Sequence, residues 1–217
     1  MDLSAPAPRR KLHHRAINLE GFEREDGLFE VEAELIDTKT YAYTAAARGH
    51  LEAGTPVHHM RVRVTFDDRM KITAAEAVTL AGPWGDCPSG GDKFHRLVGL
   101  TLGPGFTAAV KERIGGAAGC THHRELLQQV ATVAFQTSFR RSLDRIERDI
   151  AAGTIKRHPR ERLVNTCRAY AEGGAALAQL RSTGGSLPSP DALPNAVTND
   201  VTNDVTNAAP GSSAGDA

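Results

Sequence analysis

Two runs of strict alternation decide what this chain can fold into. In LFEVEAELID, residues 28–37, Phe29, Val31, Ala33 and Leu35 alternate with Glu30, Glu32 and Glu34. In MRVRVTF, residues 60–66, Val62, Val64 and Phe66 alternate with Arg61, Arg63 and Thr65. A period of two sends successive side chains to opposite faces, so each run predicts a strand with one face in a core and the other in water. EREDG, residues 23–27, precedes the first run, and its Asp26-Gly27 pair favours a tight turn, which makes residues 11–22 the preceding strand of a hairpin. Asp67 and Asp68 turn the second run into MKITAAEAVTL. Two hairpins give an antiparallel sheet of about four strands, polar on one side.

The back half changes period. GPGFTAAVKERIGG, residues 103–116, has Pro104 near a helix start and two glycines at its end. From Cys120 to Ile150, Leu127, Val130, Ala134, Leu143 and Ile146 fall at spacings that suit one helical stripe, predicting a long helix or two in line. A further amphipathic piece, about 158–180, holds Leu163, Cys167, Tyr170, Ala171 and Leu177. C-terminal helices packed on the apolar face of an antiparallel sheet make an α+β domain.

At 217 residues the chain suits one domain with appendages: a flexible N-terminus over 1–10, a single domain over 11–181 and a tail over 182–217. The tail is rich in Gly, Ser, Pro, Asn, Thr and Asp, repeats VTND from Val197, and is predicted to be disordered because it has too little apolar surface to offset its ordering entropy. Up to Arg181 there are 26 basic and 22 acidic side chains, a net of +4. With no basic stripe interleaved with aromatics, this argues against a nucleic-acid partner. No run is long and apolar enough for a membrane span, and the start has no apolar stretch behind its basic residues, so a cytoplasmic location is expected. Three cysteines are too few, and of the wrong parity, for a disulfide framework.

Each thiol is therefore a question of chemistry. PWGDCPSGG, residues 83–91, sets the sole tryptophan and Cys87 in a loop, although a free thiol normally prefers a core. His58 and His59 of VHHM are expected just before the first strand of the second hairpin, and Cys87 just after its second strand. An antiparallel hairpin brings the chain back to the end where it began, so these points can meet. Cys120 of GCTHH opens the long helix with Thr121 as N-cap, where the helix dipole and free N–H groups favour a thiolate. His122 and His123 follow in the first turn. Thiolates with imidazoles suit zinc or an iron–sulfur cluster. Neighbours on a strand face opposite ways, so only one of His58 and His59 can serve such a site.

A plainer account stands beside each residue. Cys87 can be a loop thiol beside Trp84, and Cys120 a small buried residue at a helix start. His122 and His123 can be capping or solvent-facing side chains. Cys167 reads as core, His13 and His14 as surface residues of a first strand, and Asp86 as a turn former.

The series LHHRAI, EREDGLFEVEAELIDTKTY, GPWGDCP, LVGLTLGPGFT, GCTHHREL and AFQT, over roughly residues 8–145, resembles the bacterial domain of unknown function family 2889. Where that family is expected to carry His-Asp-Met, this chain has His58-His59-Met60, so His58 is the matching position. More remotely, the order strand, Asp-Asp turn, strand, cysteine, RIGGAAGCTHHRELLQQVA is similar to the U-type iron–sulfur cluster assembly scaffold proteins. That resemblance implies their fold, with His58 at the metal-binding aspartate, Cys87 at the second cysteine and Cys120 at the third. The first cysteine is absent, with Pro56 near its place, and no Leu-Pro-Pro-Val-Lys segment precedes Cys120.

The leading expectation is a metal-binding, scaffold-like protein holding zinc or an iron–sulfur species through His58, Cys87, Cys120 and one of His122 or His123. It would handle metal, cluster or sulfur for a protein partner. The alternatives are a zinc- or thiol-dependent enzyme, with Asp86, Asp37 or Lys39 as polar lining, and a partner-binding module or homodimer in which these residues are incidental.

Overall fold

The two alternating runs form the strands they predict, and the strand pairing places the polar ends of both side by side. The computed structural model describes residues 3–155 and 164–182. β1 (His13–Glu23) and β2 (Phe29–Lys39) form the first hairpin. A short hairpin of β3 (Tyr43–Ala45) and β4 (Gly49–Leu51) follows, then β5 (Pro56–Phe66) and β6 (Ile72–Ala81). The main sheet is antiparallel, in the order β1-β2-β5-β6. His58 and His59, expected before the strand, lie inside it because pairing with β2 runs on to Pro56. Residues 3–10 carry no regular structure and are exposed.

One face of this sheet is the core. Phe29, Val31, Ala33 and Leu35 of β2 lie beside Val62, Val64 and Phe66 of β5, all buried, with the Phe29 and Phe66 rings stacked at 5.6 Å. Each such large side chain contributes about 1.5–3 kcal/mol by leaving water. The other face is a charged lattice: Arg63 reaches Glu32 at 2.6 Å and Glu76 at 2.8 Å, and Arg61 reaches Glu34 at 2.8 Å. The register Glu32↔Arg63 and Glu34↔Arg61 sets opposite charges directly across the strands. The second turn rests on Asp67, whose Oδ1 accepts from the N–H groups of Arg69 and Lys71 at 2.9 Å each.

α1 (Phe106–Ile114) begins after Gly105, which adopts a left-handed conformation at φ 85°, and ends at Gly115. α2 (Thr121–Thr137) lays Leu126, Leu127, Val130 and Ala134 on the sheet. Its N-cap is Cys120, in an extended conformation, rather than Thr121, which is already the first helical residue. The long helical pattern breaks at Ser138, whose buried hydroxyl donates to the Ala134 carbonyl at 3.0 Å, an arrangement that bends helices. α3 (Phe139–Ala151) then leaves the core, and Leu143 and Ile146, expected to continue the stripe, are half-buried.

The chain divides into two compact units, Met1–Lys156 and Arg157–Ala217. In the second, a 3-10 turn at Arg168–Tyr170 precedes α4 (Ala175–Ser182). Asn165 accepts from the N–H of Glu172 and donates its own N–H to the Tyr170 carbonyl. Cys167, expected in a core, is exposed, because the segment forms turns there instead of a continuous amphipathic helix. Leu163 and the low-complexity tail beyond Ser182 lie outside the described residues.

Candidate functional site

The inward-facing series of β2 runs Phe29, Val31, Ala33, Leu35 and then Asp37, and that of β5 runs Phe66, Val64, Val62, Met60 and then His58. Asp37 pairs in register with His58 on one side and with Arg15 of β1 on the other. At this end of the sheet the apolar layer gives way to three polar residues in a row across three strands. His59 points to the opposite face, where its Nε2 meets Glu34 at 2.8 Å.

Asp37 is 1% exposed and fully engaged. Its Oδ1 accepts from Arg15 Nε at 2.7 Å and faces His13 Nε2 at 3.1 Å. Its Oδ2 accepts from Arg15 Nη2 at 2.7 Å and meets His58 Nδ1 at 3.0 Å. Burial alone would push this carboxyl up, but the Arg15 hydrogen bonds and charge, the His58 contact and the His13 charge together bring it down to about 2. An ionised carboxylate only accepts, so His58 turns a protonated Nδ1 to Asp37, and Nε2 is the ring nitrogen left to act as a ligand. Arg15 also holds both oxygens of Glu125, on α2, at 2.8 Å each through one amino group.

That ion pair ties the first turn of α2 to the sheet, and His122, three residues before Glu125, lies on the same helical side. Its ring lies over that of His58, with centroids 4.0 Å apart and planes tilted by 34°. Burial, followed by the charges of His58 and Arg15, lowers the His122 pKa below the ordinary 6.5, so the ring is neutral at pH 7. Cys120 Sγ lies 3.7 Å from His122 Nδ1. One potential ligand atom from each of Asp37, His58 and His122 falls within 4.8 Å of the others.

The loop at residues 83–91 closes over this cluster. Its Cys87–Gly91 segment is a 3-10 helix, in which positions three apart eclipse, so Cys87 and Gly90 share a side. Gly90 abuts Cys120 so closely that a Cβ there would lie 2.7 Å from the Cys120 Cβ. Thr79 on β6 anchors the segment by donating to the Cys87 carbonyl at 3.3 Å. His58, Cys87, Cys120 and His122 all line one open cavity of about 730 Å³.

His123 does not join them. It is fully buried on the far side of the same turn, edge-on to Phe94 at 5.4 Å, with Nε2 3.4 Å from both Thr79 Oγ1 and the Val78 carbonyl. The sequence pattern missed Arg15 and Glu125, which are 110 positions apart. It named Asp37 only as polar lining. A signal for Asp37 was nevertheless present, in a carboxylate occupying the next inward position of a buried series.

The sequence model of one protein family matches residues 13–136, from the first residue of β1 almost to the end of α2, and is described as a protein of unknown function, DUF2889. The chain belongs to this family. The DUF2889 region contains every residue of the Arg15–Asp37–His58–His122–Cys120 cluster together with Cys87. Comparisons with curated proteins and with solved structures gave no significant match.

Proposed function

We propose that the cavity of this DUF2889 protein binds a transition-metal ion, zinc before others, through His58, His122 and Cys120, with Cys87 as the further donor available on the facing 3-10 segment. The observation that carries this reading is the Asp37–His58–His122–Cys120 series, in which His58, His122 and Cys120 line one cavity and Asp37 stands behind His58. Two imidazoles with one or two thiols form a donor set suited to zinc. A carboxylate behind a ligating histidine is the arrangement that fixes its tautomer and raises its basicity. Asp37 fits that position better than a place on the metal, because Arg15, His13 and His58 already occupy its oxygens. Bound there, such an ion would supply a Lewis-acid centre.

In this reading the resemblance to the U-type scaffolds is one of donor placement: His58, Cys87 and Cys120 stand in the same order around a hairpin and a helix start. Delivery of metal, cluster or sulfur to a protein partner is the role that resemblance suggests. Elemental analysis of the untagged full chain, purified anaerobically, tests the binding itself. About one zinc or iron per chain, lost in His58→Ala and in His122→Ala, supports the proposal. No metal after reconstitution with either zinc or iron and sulfide contradicts it, and leaves Cys120 beside His122 to be tested as a reactive thiol.

A further inference from the structure

The main sheet ends on two strands, β6 and β1, and only one of these edges is covered. On β6, Ile72 donates its N–H to the Leu100 carbonyl at 2.8 Å and accepts from the Gly99 N–H at 2.9 Å. Further along, Gly91 packs so tightly on the Ala77 carbonyl that a Cβ would not fit, and His123 Nε2 lies 3.4 Å from the Val78 carbonyl.

The outer edge of β1 pairs with nothing among the described residues. Natural sheets blunt a free edge with proline, lysine, a bulge, a very short strand or a charge pointing inward. β1 is eleven residues long, has neither Pro nor Lys, and keeps an unbroken register from His13↔Lys39 to Glu23↔Phe29. Its inward-facing His13 and Arg15 are both drawn to Asp37. The pairing even runs one residue further, since the Leu12 carbonyl accepts from the Thr40 N–H at 3.3 Å.

This strand is complementary to itself. A two-fold axis normal to the sheet at Ile17 would set His14 opposite Glu20 and Leu12 opposite Phe22, each contact occurring twice. Glu20 faces Glu32 across β2 and has no cationic partner among the described residues, and like charges so placed repel. His14 offers it an imidazole N–H. Leu12 and Phe22, 49% and 42% exposed, would cover each other. A slip of two residues, the smallest that keeps the same faces together, sets Glu20 against Ala16 or Leu12 and Phe22 against His14 or Arg10, and both contacts are lost.

We infer that two copies of this chain pair through β1, centred on Ile17, into one eight-stranded antiparallel sheet. Because β6 is covered, each copy has one open edge, so the assembly closes at two instead of growing into a fibre. The inference does not depend on the metal reading.

Sedimentation equilibrium of the untagged full chain should show monomer and dimer with no larger species. Phe22→Lys and Glu20→Lys should each weaken the dimer by about ten-fold. Both positions are exposed, and Glu20→Lys also relieves the repulsion from Glu32, so the fold should survive, as circular dichroism checks. Adding His14→Glu to Glu20→Lys exchanges the charges across the axis and should restore the dimer. The register puts Ala16 opposite Asn18 of the second copy, within reach of a disulfide, whereas diagonal neighbours lie about 7–8 Å apart. Under mild oxidation, Ala16→Cys and Asn18→Cys chains mixed together should therefore link to each other faster than either links to itself, with the bridges mapped by mass spectrometry. A monomer at every concentration, a dimer indifferent to Phe22→Lys and Glu20→Lys, or faster self-linking of either cysteine variant would overturn the inference.

Discussion

Asp37→Asn probes the hub of the site without changing its shape. The asparagine fits the same space but loses the charge that pairs with Arg15, and its NH2 group replaces one of the two accepting oxygens, so two of the four acceptor positions become donors. Asp37 has its pKa lowered from the ordinary 3.8 to about 2, and it is 1% exposed, so solvent screening is slight. At about 1.4 kcal/mol per unit, that depression corresponds to roughly 2–3 kcal/mol of native-state stability at neutral pH. Removing one partner of a buried ion pair typically costs about 3–5 kcal/mol. Arg15 is 30% exposed by side chain and keeps Glu125, which argues for the lower figure.

Urea unfolding of the wild type and the variant measures the difference. The sign of its pH dependence is fixed. A carboxyl depressed in the folded state stabilises fully above its unfolded value of about 3.8, and that stability is lost as pH falls through about 2. The gap of roughly 2–3 kcal/mol should therefore hold from pH 7 to pH 5 and shrink markedly by pH 3. A gap below about 0.5 kcal/mol at pH 7, or one that does not change with pH, would refute the argument that this charge is buried and paired. The same variant should weaken zinc by about ten- to a hundred-fold, since it removes the group that orients His58.

The two adjacent histidines should separate cleanly. His122→Ala is expected to abolish zinc binding with little loss of stability, whereas His123→Ala should keep zinc and lower stability by about 2–4 kcal/mol because it empties a fully buried position; metal analysis and urea unfolding on both variants decide. Gly90→Ala places a methyl 2.7 Å from the Cys120 Cβ, so the 3-10 segment and Cys120 must move apart, and titration with a metal indicator should show about a ten-fold loss of zinc affinity. Glu125→Gln removes the charge that Arg15 holds on α2, and calorimetry should show weaker zinc binding with stability changed by only about 1 kcal/mol, because that pair is partly exposed.

The sheet was legible because period-two alternation is a local signal: Phe29 to Leu35 and Val62 to Phe66 carry their burial in their spacing. The same signal placed His58 on the inner face and His59 on the outer face once the strand was known to begin at Pro56. The hairpin argument also brought His58 and Cys87 to one cavity. What the sequence hid depends on register and on one helix turn. Arg15, Asp37 and His58 become neighbours only through two strand pairings, and Glu125 reaches Arg15 only when α2 docks. His122 and His123 are equivalent in sequence, and a rotation of about 100° between successive helical residues sends one to the cavity and the other to the core. The second of the two expected forms, two helices in line, is the one found, but neither the position of the break at Ser138 nor the turns around Cys167 were legible, because an amphipathic spacing does not record where a helix stops.

Cobalt(II) loading of the untagged full chain tests the central claim most directly, since its visible spectrum reports both geometry and thiolate ligation. The account predicts one cobalt per chain with an intense low-symmetry spectrum and a thiolate charge-transfer band, the band weakened in Cys120→Ser, lost when Cys87 is replaced by Ser as well, and kept in His123→Ala. A spectrum identical to that of the aqueous ion, or a thiolate band untouched by Cys120→Ser, would contradict it.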